Sequence, residues 1–418
     1  MRVVVAGGGI GGLALAQGLQ RAGIEVVVHE RDARPEHTGG YRLHLDDTAC
    51  SALGRLLPPP VLQAVLASAA GGATFRRFTF CDHRLRELSA EPMPPGERLM
   101  IGRVPLRTLL AHDLDVRWGS VHHGHTPTPD GRVRVDCSGG STTADVLVGA
   151  DGTGSAVARA LAGRPTAAPT GVDGIAGKVP LDDDARALLP AALADGPALA
   201  FGPGGLGVFL SVHEPGTGPV SVAACTSPPA IAEPASLVLG PLLPADRWPR
   251  DPGGLDGPGL VGMLGELLRD WHPGLRELGS RVAPGTVAHF RFLAADPDAD
   301  PAPWPTGNVT AIGDAVHAMP PTGGRGAATA VRDADVLARH LVRARDGDTT
   351  VPLALLAYER EMAGYGPAAV RESLQPLALQ RRLAGPIGAT ALRAAGTVAA
   401  ARSRLRLRTG PSRTGRPG

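Results

Sequence analysis

Lysine is almost absent from this 418-residue chain: Lys178 is the only one, so nearly all of the positive charge is arginine. Cysteine is sparse as well. Cys50, Cys81, Cys137 and Cys225 show no CxxC spacing, which speaks against a disulfide framework and against a thiolate metal site. Charge of one sign is not in surplus either. Lys and Arg number 42 and Asp and Glu 40, a net charge of +2, so there is no global attraction to nucleic acid or to an acidic membrane. No apolar run reaches the length of a membrane span. Met1-Arg2 leads straight into a strand without the h-region and cleavage site of a signal peptide, and a reducing cytoplasm is the expected location. Hydrophobic residues at 43% and charged residues at 20% describe a globular chain, long enough for two or three domains or one elaborate enzyme.

Glycine is what the chain has in plenty, and its first cluster is the most informative. In "VVVAGGGIGGLALAQGLQRAGIEVVVHERD" an apolar strand enters a glycine turn, a helix with an apolar face follows, and a second strand ends at Glu30. Gly7, Gly9 and Gly12 fit GxGxxG. Gly7 permits the tight turn, Gly9 lets the backbone approach a pyrophosphate, and Gly12 lets the helix pack on the strand. The phosphates then meet the helix N-terminus. Two more GxGxxG matches, Gly202/Gly204/Gly207 and Gly257/Gly259/Gly262, lack that context: a strand follows the one, suggesting a hairpin, and no strand precedes the other. Glu30 suits both ribose hydroxyls of an adenosine. The unit therefore predicts an adenine dinucleotide, with FAD and NAD both open at this point.

Further along, the patterns predict a helix over Asp47–Leu57 broken by Pro58-Pro59-Pro60, strand in "ATFRRFTF", a helix over Arg103–Leu114, and strands in "RVRVDC" and "TADVLVGADG". Residues 165–300 change to short alternating runs with one helix near Leu260–Trp271, and the α/β style resumes at Gly307. Two more strands end in Asp-Gly or Gly-Asp turns, at Asp151-Gly152 and Gly313-Asp314. The second continues into a Gly-Arg-Gly loop and a helix. An Asp at such a strand end can reach a ribose or ribityl hydroxyl, and the loop can offer backbone N–H groups to an anionic or carbonyl site.

Taken together, Gly7/Gly9/Gly12 with Glu30, "ADGTGS" and "GDAVHAMPPTGGRGAATAVRDADVLARHL" resemble the class A FAD-dependent monooxygenases, the aromatic hydroxylase family, over about residues 1–160 and 280–385. The resemblance implies an α/β fold. A Rossmann-like FAD-binding domain, three-layered with a mostly parallel sheet, would comprise 1–70, 100–165 and 280–385. A β-rich substrate domain at 71–99 and 166–279 would interrupt it, and a C-terminal helix and basic tail would fill 386–418. It further implies that Gly7, Gly9, Ile10, Gly11 and Gly12 bind the ADP half of FAD, with Glu30 on the ribose and Arg31 near the adenine. Arg103 would meet the phosphate or ribose region and Arg42 would lie near the flavin. Asp151 and Gly152 would support FAD and the nicotinamide donor. Gly313 and Asp314 would bind ribityl or pyrophosphate groups, with Pro321, Gly324, Gly326 and Ala327 beside the isoalloxazine ring. Two positions depart from the family pattern: Ala328 stands where many members have Asn, and Ala158 where an arginine is usual, with Arg159 one place on.

The activity implied is a monooxygenase that uses NAD(P)H as a transient co-substrate and O2. One oxygen atom would pass from a flavin C4a-hydroperoxide to an aromatic, polyketide or similar secondary-metabolite substrate, by hydroxylation, epoxidation or Baeyer–Villiger insertion. Phe201, Phe209, Phe290 and Phe292 are substrate-pocket candidates; Phe290 and Phe292 share one strand face and either line a cavity or fill the core. His317 is the candidate acid–base residue, against a packed and hydrogen-bonded histidine. Lys178 looks isolated. His122, His123 and His125 suggest a surface strand, and no metal site is expected. The arginine-rich tail from Arg402 has no interleaved aromatics and reads as a solvated end rather than a nucleic-acid arm. The expected partners are a small organic substrate and O2, not nucleic acid or membrane, for a monomer or homodimer. The alternatives are a flavin-dependent reductase or saturase of an isoprenoid-type substrate and a non-redox flavin-binding protein. A halogenase is disfavoured, because Trp118, Trp248, Trp271 and Trp304 never pair in a WxWxIP pattern.

Overall fold

The computed structural model describes residues 1–71, 76–93, 98–214 and 228–385. The chain opens with strand β1 (Arg2–Ala6), helix α1 (Ile10–Arg21) and strand β2 (Glu25–Glu30). A loop leads to β3 (Arg42–Leu45), α2 (Asp47–Leu56) and α3 (Pro59–Ser68). The proline run thus breaks one helix and begins the next. Pro59 occupies the first helical position of α3, where its fixed φ and missing N–H cost nothing. Next come β4 (Ala70–Gly71), β5 (Arg77–Asp82), β6 (Glu87–Pro92), β7 (Leu99–Gly102), α4 (Arg103–Leu110), β8 (Val116–Trp118) and β9 (His122–Pro127). They are followed by β10 (Val133–Cys137), β11 (Gly140–Ala144), β12 (Val146–Gly149), α5 (Ala156–Ala162), β13 (Ala168–Pro180), α6 (Asp183–Ala187), β14 (Ala198–Phe201), β15 (Gly207–His213) and β16 (Ser236–Pro244). The expected helix near 260–271 is α7 (Gly257–Leu267), and a second helix that was not expected follows it, α8 (Pro273–Ser280). Pro273 cannot continue a helix but starts one well, and His272 caps it by accepting from the Gly274 amide. The chain closes with β17 (Ala288–Ala294), β18 (Val309–Ala311), α9 (Asp314–His317), α10 (Gly326–Arg345), α11 (Val351–Ala363) and α12 (Gly366–Ala384).

The expected α/β architecture is present. A parallel five-stranded sheet runs β18-β12-β1-β2-β8. Val3, Val5 and Val28 bury one face against α1, α10 and their neighbours, while Val4 and Leu147 face a smaller core with the antiparallel sheet β11-β10-β9. Strands buried on both faces explain the unbroken apolar run Val3–Val5. The expected region 386–418 lies outside the described residues.

The second large sheet is seven-stranded, β17-β13-β16-β15-β14-β5-β6. It takes in Ala288–Ala294 through β17, past the expected boundary at 279. Its two faces differ. One packs Leu237, Leu239 and Val208 against Leu260, Met263, Leu264 and Leu275 of α7 and α8. The other carries phenylalanines and is met by α12 through Leu377. Gly202 and Gly207 flank the β14–β15 hairpin turn, as expected for that GxGxxG match, and Gly257 and Gly259 begin α7. Among the described residues no helix is long and apolar enough to cross a membrane.

Candidate functional site

The first glycine turn is tightly specified. Gly7 has φ +115°, in the region that favours glycine, and a Cβ on Gly12 would overlap the Gly7 carbonyl oxygen. Gly9 precedes α1 in an extended conformation with no side-chain cap, so the first-turn amides of Ile10, Gly11 and Gly12 have no partner within the helix. A Cβ on Gly9 would have only the Ala150 oxygen near it, at 4.0 Å. The end of α1 is therefore an open row of N–H donors suited to an anion.

Glu30 is buried at the end of β2. Its Oε2 accepts from the Gly8 amide (2.6 Å) and its Oε1 from the Asp32 amide (2.8 Å). Arg107, which the sequence reading missed, holds this corner. Its Nε donates to the Gly8 carbonyl (2.7 Å), its guanidinium pairs with Asp32 (2.7 Å) and Glu30 (3.2 Å), and it lies 5.3 Å from the Trp118 ring. The signal was available. Arg103 and Arg107 are four residues apart on α4 and so share a face. Arg103 itself has no partner for its Nε among the described residues. Burial lowers its pKa, against the pull of Asp314 and, more weakly, Asp32 and Glu30.

A second corner forms at the end of β18. Gly313 has φ +63°, and its amide donates to Asp333 Oδ2 at 2.7 Å. Asp333, on α10 and fully buried, also meets His317 Nε2 (2.6 Å) through that oxygen and accepts from Tyr365 Oη (2.7 Å) through Oδ1. His317 is thus a packed, paired histidine. Burial lowers its pKa, but Asp333 outweighs this and the net direction is upward. Asp314 is raised by desolvation, against His317 and Arg103, and stands near the start of α10: a Cβ on Gly326 would be 3.7 Å from its Oδ1. The sequence reading missed Asp333, although an acid inside the apolar stripe of an amphipathic helix is the signature of a buried anchor.

The loop carrying Pro321, Gly324 and Gly326 runs into α10, whose first turn has no side-chain cap and includes Ala327 and buried Ala328. Gly324 sits at φ +63° beside His44. Arg325 fastens the loop on two sides, to Asp46 ahead of α2 (2.9 Å) and to Glu372 of α12 (2.9 Å). Thr322 Oγ1 donates to the Ser373 carbonyl (2.7 Å), which ties the loop to α12 again.

Other expected residues are exposed or have partners of their own. Both oxygens of Asp151 are engaged locally, by Ser155 Oγ and by the Ala156 amide (2.7 Å), where they fix the start of α5. Gly152 follows at φ +78°. Arg31 and Arg159 are exposed. Arg42 turns toward the seven-stranded sheet and donates to Ser236 Oγ (2.6 Å) and to the carbonyls of Ser211 and Ser236 (3.3 Å each). Lys178 is not isolated, since it pairs with Glu233 at 2.9 Å. His122, His123 and His125 lie on β9, and no metal-binding group of His, Cys, Asp and Glu occurs among the described residues.

The four phenylalanine candidates come together, with two that were not singled out. Phe201, Phe209, Phe290 and Phe292 share one face of the seven-stranded sheet with Phe78 and Phe80. Phe80 and Phe201 stack at 6.1 Å and 6°, and Phe78 and Phe209 at 6.5 Å and 28°. Phe201 and Phe292 are buried, whereas Phe78, Phe80, Phe209 and Phe290 keep part of their surface open. This face adjoins both corners. Gly40 packs on Arg103 while Gly39 and Tyr41 meet Phe290, the Tyr41 ring at 5.9 Å. On the other side, α12 joins the 321–326 loop through Ser373 and the aromatic face through Leu377.

Residues 1–182 and 299–373 match the family described as FAD binding domain. The chain belongs to that family. As a member of these class A flavoproteins it shares 29% identity over 375 residues with the dual O-methyltransferase/FAD-dependent monooxygenase CTB3 of Cercospora beticola, covering 81% of this chain but only 42% of that protein. It is 26% identical over 363 residues to the aurachin C monooxygenase/isomerase of Stigmatella aurantiaca, covering 86% and 84% of the two chains. In structure it resembles a FAD containing protein from Photorhabdus luminescens, with TM-score 0.77, 28% identity and coverage of 90% and 97%. It also has the fold of Klebsiella pneumoniae HpxO complexed with FAD and uric acid, with TM-score 0.70, 21% identity and coverage of 92% and 89%. The site fits the cofactor by its own chemistry: uncapped amides at α1 and α10, an unpartnered buried guanidinium nitrogen on Arg103, and an acid at each strand end.

Proposed function

We propose that the protein is an FAD-dependent monooxygenase that uses NAD(P)H and O2 to place one oxygen atom on a flat aromatic substrate of the polyketide type. The observation that carries this reading is the half-open phenylalanine face adjoining the glycine corners. Aromatic rings recognise other rings by offset stacking and edge contacts, and an apolar wall keeps water from the reacting atoms. Relatives named as FAD-dependent monooxygenases support the reaction class.

The residues divide the work. The Gly7–Gly12 turn and the first amides of α1 would hold the pyrophosphate, with Glu30 on the adenosine ribose, Arg31 beside the adenine and Arg103 on the phosphates. Gly313 and Asp314 would take the ribityl and pyrophosphate side, and the loop Pro321, Gly324, Gly326 and Ala327 would offer backbone N–H groups to the ring. Asp151 and Gly152 shape the neighbouring turn. FAD held by these residues would supply the redox chemistry, hydride acceptance from a nicotinamide and activation of O2. The protein positions both reactants: Asp333 steadies the Gly313 turn, Arg325 fixes the loop, and α12 closes one side of the aromatic face. His317 is committed to Asp333 and serves as a positioning residue. The buried thiols of Cys81 and Cys137, outside any disulfide, suit a cytoplasmic protein.

The test is to purify the protein, record its visible spectrum, and follow NAD(P)H oxidation while aromatic phenols and quinols are added under isotopically labelled dioxygen. Stimulated oxidation with one labelled atom in the product supports the reading. Oxygen-independent reduction of substrate, or a colourless protein that cannot be reconstituted with FAD, overturns it.

A further inference from the structure

The seven-stranded sheet has a second side. Along β17, Phe290 and Phe292 turn to the aromatic face, so Arg291 between them turns to the reverse. On β13 the same alternation sends Val172 to the phenylalanines and Asp173 to the reverse, directly opposite Arg291. The pairing of the two strands is broken just beside this row. Pro169 to Asp173 is four residues along β13, but their partners Leu293 and Arg291 are only two apart, and Gly171 sits in the excess at φ +74°. The strand bows out there, and a cavity of about 470 Å³ lies between the bulge and the segment that follows β16. Asp173 and Arg291 line it from the sheet, and Trp248, Arg250 and Asp251 from the segment. Pro169 and Pro252 add flat apolar surface. Its size is that of a small-molecule site, and the sheet separates it from the aromatic face.

The polar groups of this cavity are only partly used. Asp173 and Arg291 are cross-strand neighbours, yet Asp173 Oδ2 meets His289 Nε2 instead, at 3.2 Å. The Arg291 guanidinium has no partner among the described residues. Asp251 uses one oxygen on the Gly253 amide (2.9 Å). Trp248 meets the His289 ring edge-on at 6.4 Å, and its Nε1 is buried without a partner among the described residues, a donor that gains from an acceptor brought beside it. Arg250 is paired, with both oxygens of Glu266 (2.8 and 3.0 Å). Charge then decides the class of ligand. With Glu266 counted, three carboxylates stand against two guanidinium groups, so a bare anion gains nothing. A bare cation meets the unpaired Arg291. Nor are the signs sorted to two ends, as a zwitterion requires: Asp173 and Arg291 face each other across one strand gap of about 5 Å, and Arg250 adjoins Asp251 in the chain. Interleaved donors and acceptors suit a neutral ligand whose own groups do both, and hydroxyls do. A carboxylate or a guanidinium can hold two neighbouring hydroxyls at once, while Trp248 and the prolines suit the C–H face of a saturated ring.

We propose that this cavity is a second ligand site, separate from the glycine corners and from the aromatic face, and that it takes a sugar ring, as a free saccharide or as the sugar of a glycoside. Asp173 and Asp251 accept from the ring hydroxyls, Arg291 donates to them, and the Trp248 side chain forms the wall. No covalent step is involved.

The experiment titrates the FAD-loaded full chain by calorimetry with glucose, galactose and mannose, with their methyl glycosides, and with benzoate and L-phenylalanine as an anion and a zwitterion of similar size. At least one sugar should bind saturably, with a dissociation constant of about 1 mM or tighter. Binding that survives methylation of the anomeric oxygen assigns the glycoside as the source, and binding lost on methylation assigns the free saccharide. Arg291→Met and Asp173→Asn should each weaken that sugar by about five-fold or more, the scale of one hydrogen bond, with FAD content and the flavin spectrum unchanged. Absence of saturable sugar binding by wild type overturns the proposal. So does sugar binding that both variants leave untouched, since a sugar held on the aromatic face does not meet Arg291. Benzoate or phenylalanine bound as tightly as the sugar, and weakened by Arg291→Met, overturns the choice of a neutral ligand.

Discussion

Asp333 shows how much one carboxylate can organise. Two oxygens serve Gly313, His317 and Tyr365, and the side chain is fully enclosed. Removing it leaves a buried histidine, a hydroxyl and a backbone amide unpaired. Asp333→Ala should therefore cost about 3–5 kcal/mol in urea unfolding and lower FAD retention on gel filtration. Glu359 is the opposite case. It accepts from Trp304 Nε1 (2.9 Å) and Thr310 Oγ1 (2.8 Å), both on Oε1, and burial raises its pKa against those two bonds. A raised carboxyl favours the protonated folded form. Its contribution is complete below the unfolded value near 4.5 and fades as pH rises through the folded value. Glu359→Gln keeps the accepting oxygen and carries no charge. The variant should gain thermal stability relative to wild type as pH is raised from 4.5 toward 8, by about 1 kcal/mol. Unfolding scans at several pH values give the difference directly.

Among the elements, the turn from β1 into α1 tolerates least. Gly12→Ala would force a Cβ onto the Gly7 carbonyl, which backbone cannot yield without opening the turn. The variant should purify without flavin even if it folds, and absorbance at the flavin band measures this. On the seven-stranded sheet the expectation differs. Phe290→Leu trims a partly open ring from the aromatic face, at its contact with Gly39 and Tyr41, and leaves the Gly7–Gly12 and Gly313 turns in place. It should leave FAD content unchanged and raise the substrate KM by roughly ten-fold, the worth of about 1 kcal/mol of ring contact plus lost area. Steady-state kinetics with any turned-over substrate decides it. The elements also show where pattern reading succeeds. The β1–α1–β2 unit, α2 and α10 declared themselves by apolar period and by their glycine or Asp boundaries. The second helix, α8, did not, because a proline inside an apolar stretch either ends one helix or starts another, and the choice depends on what the second helix packs against.

At the scale of the molecule, the site is made where two sheets meet, and it is there that sequence reading thins out. Gly7, Glu30 and Gly313 could be named in advance because tight turns and strand ends have local requirements. Phe201 and Phe209 were named, but their meeting with Phe78 and Phe80 depends on the parallel pairing of β14 with β5, across more than a hundred residues. Arg42 was expected beside the flavin, yet its hydrogen bonds go to Ser211 and Ser236 on the other sheet. Arg107 was overlooked for the same reason, since Gly8, Glu30 and Asp32 lie far along the chain, whereas Asp333 gathers Gly313, His317 and Tyr365 from neighbouring segments.

By itself the sequence determined the period of each strand and helix, the points where only glycine can turn, and hence a dinucleotide fold with its motifs in order. These follow from φ/ψ sterics and from side-chain alternation, which act over a few residues. Only the tertiary structure decided which face of the seven-stranded sheet stays open, which carboxylate anchors the Gly313 turn, and which arginine is left with an unpaired donor. Those outcomes depend on strand register and on burial between distant segments, where the cost of an unpartnered charge or amide is set by whatever the fold brings beside it.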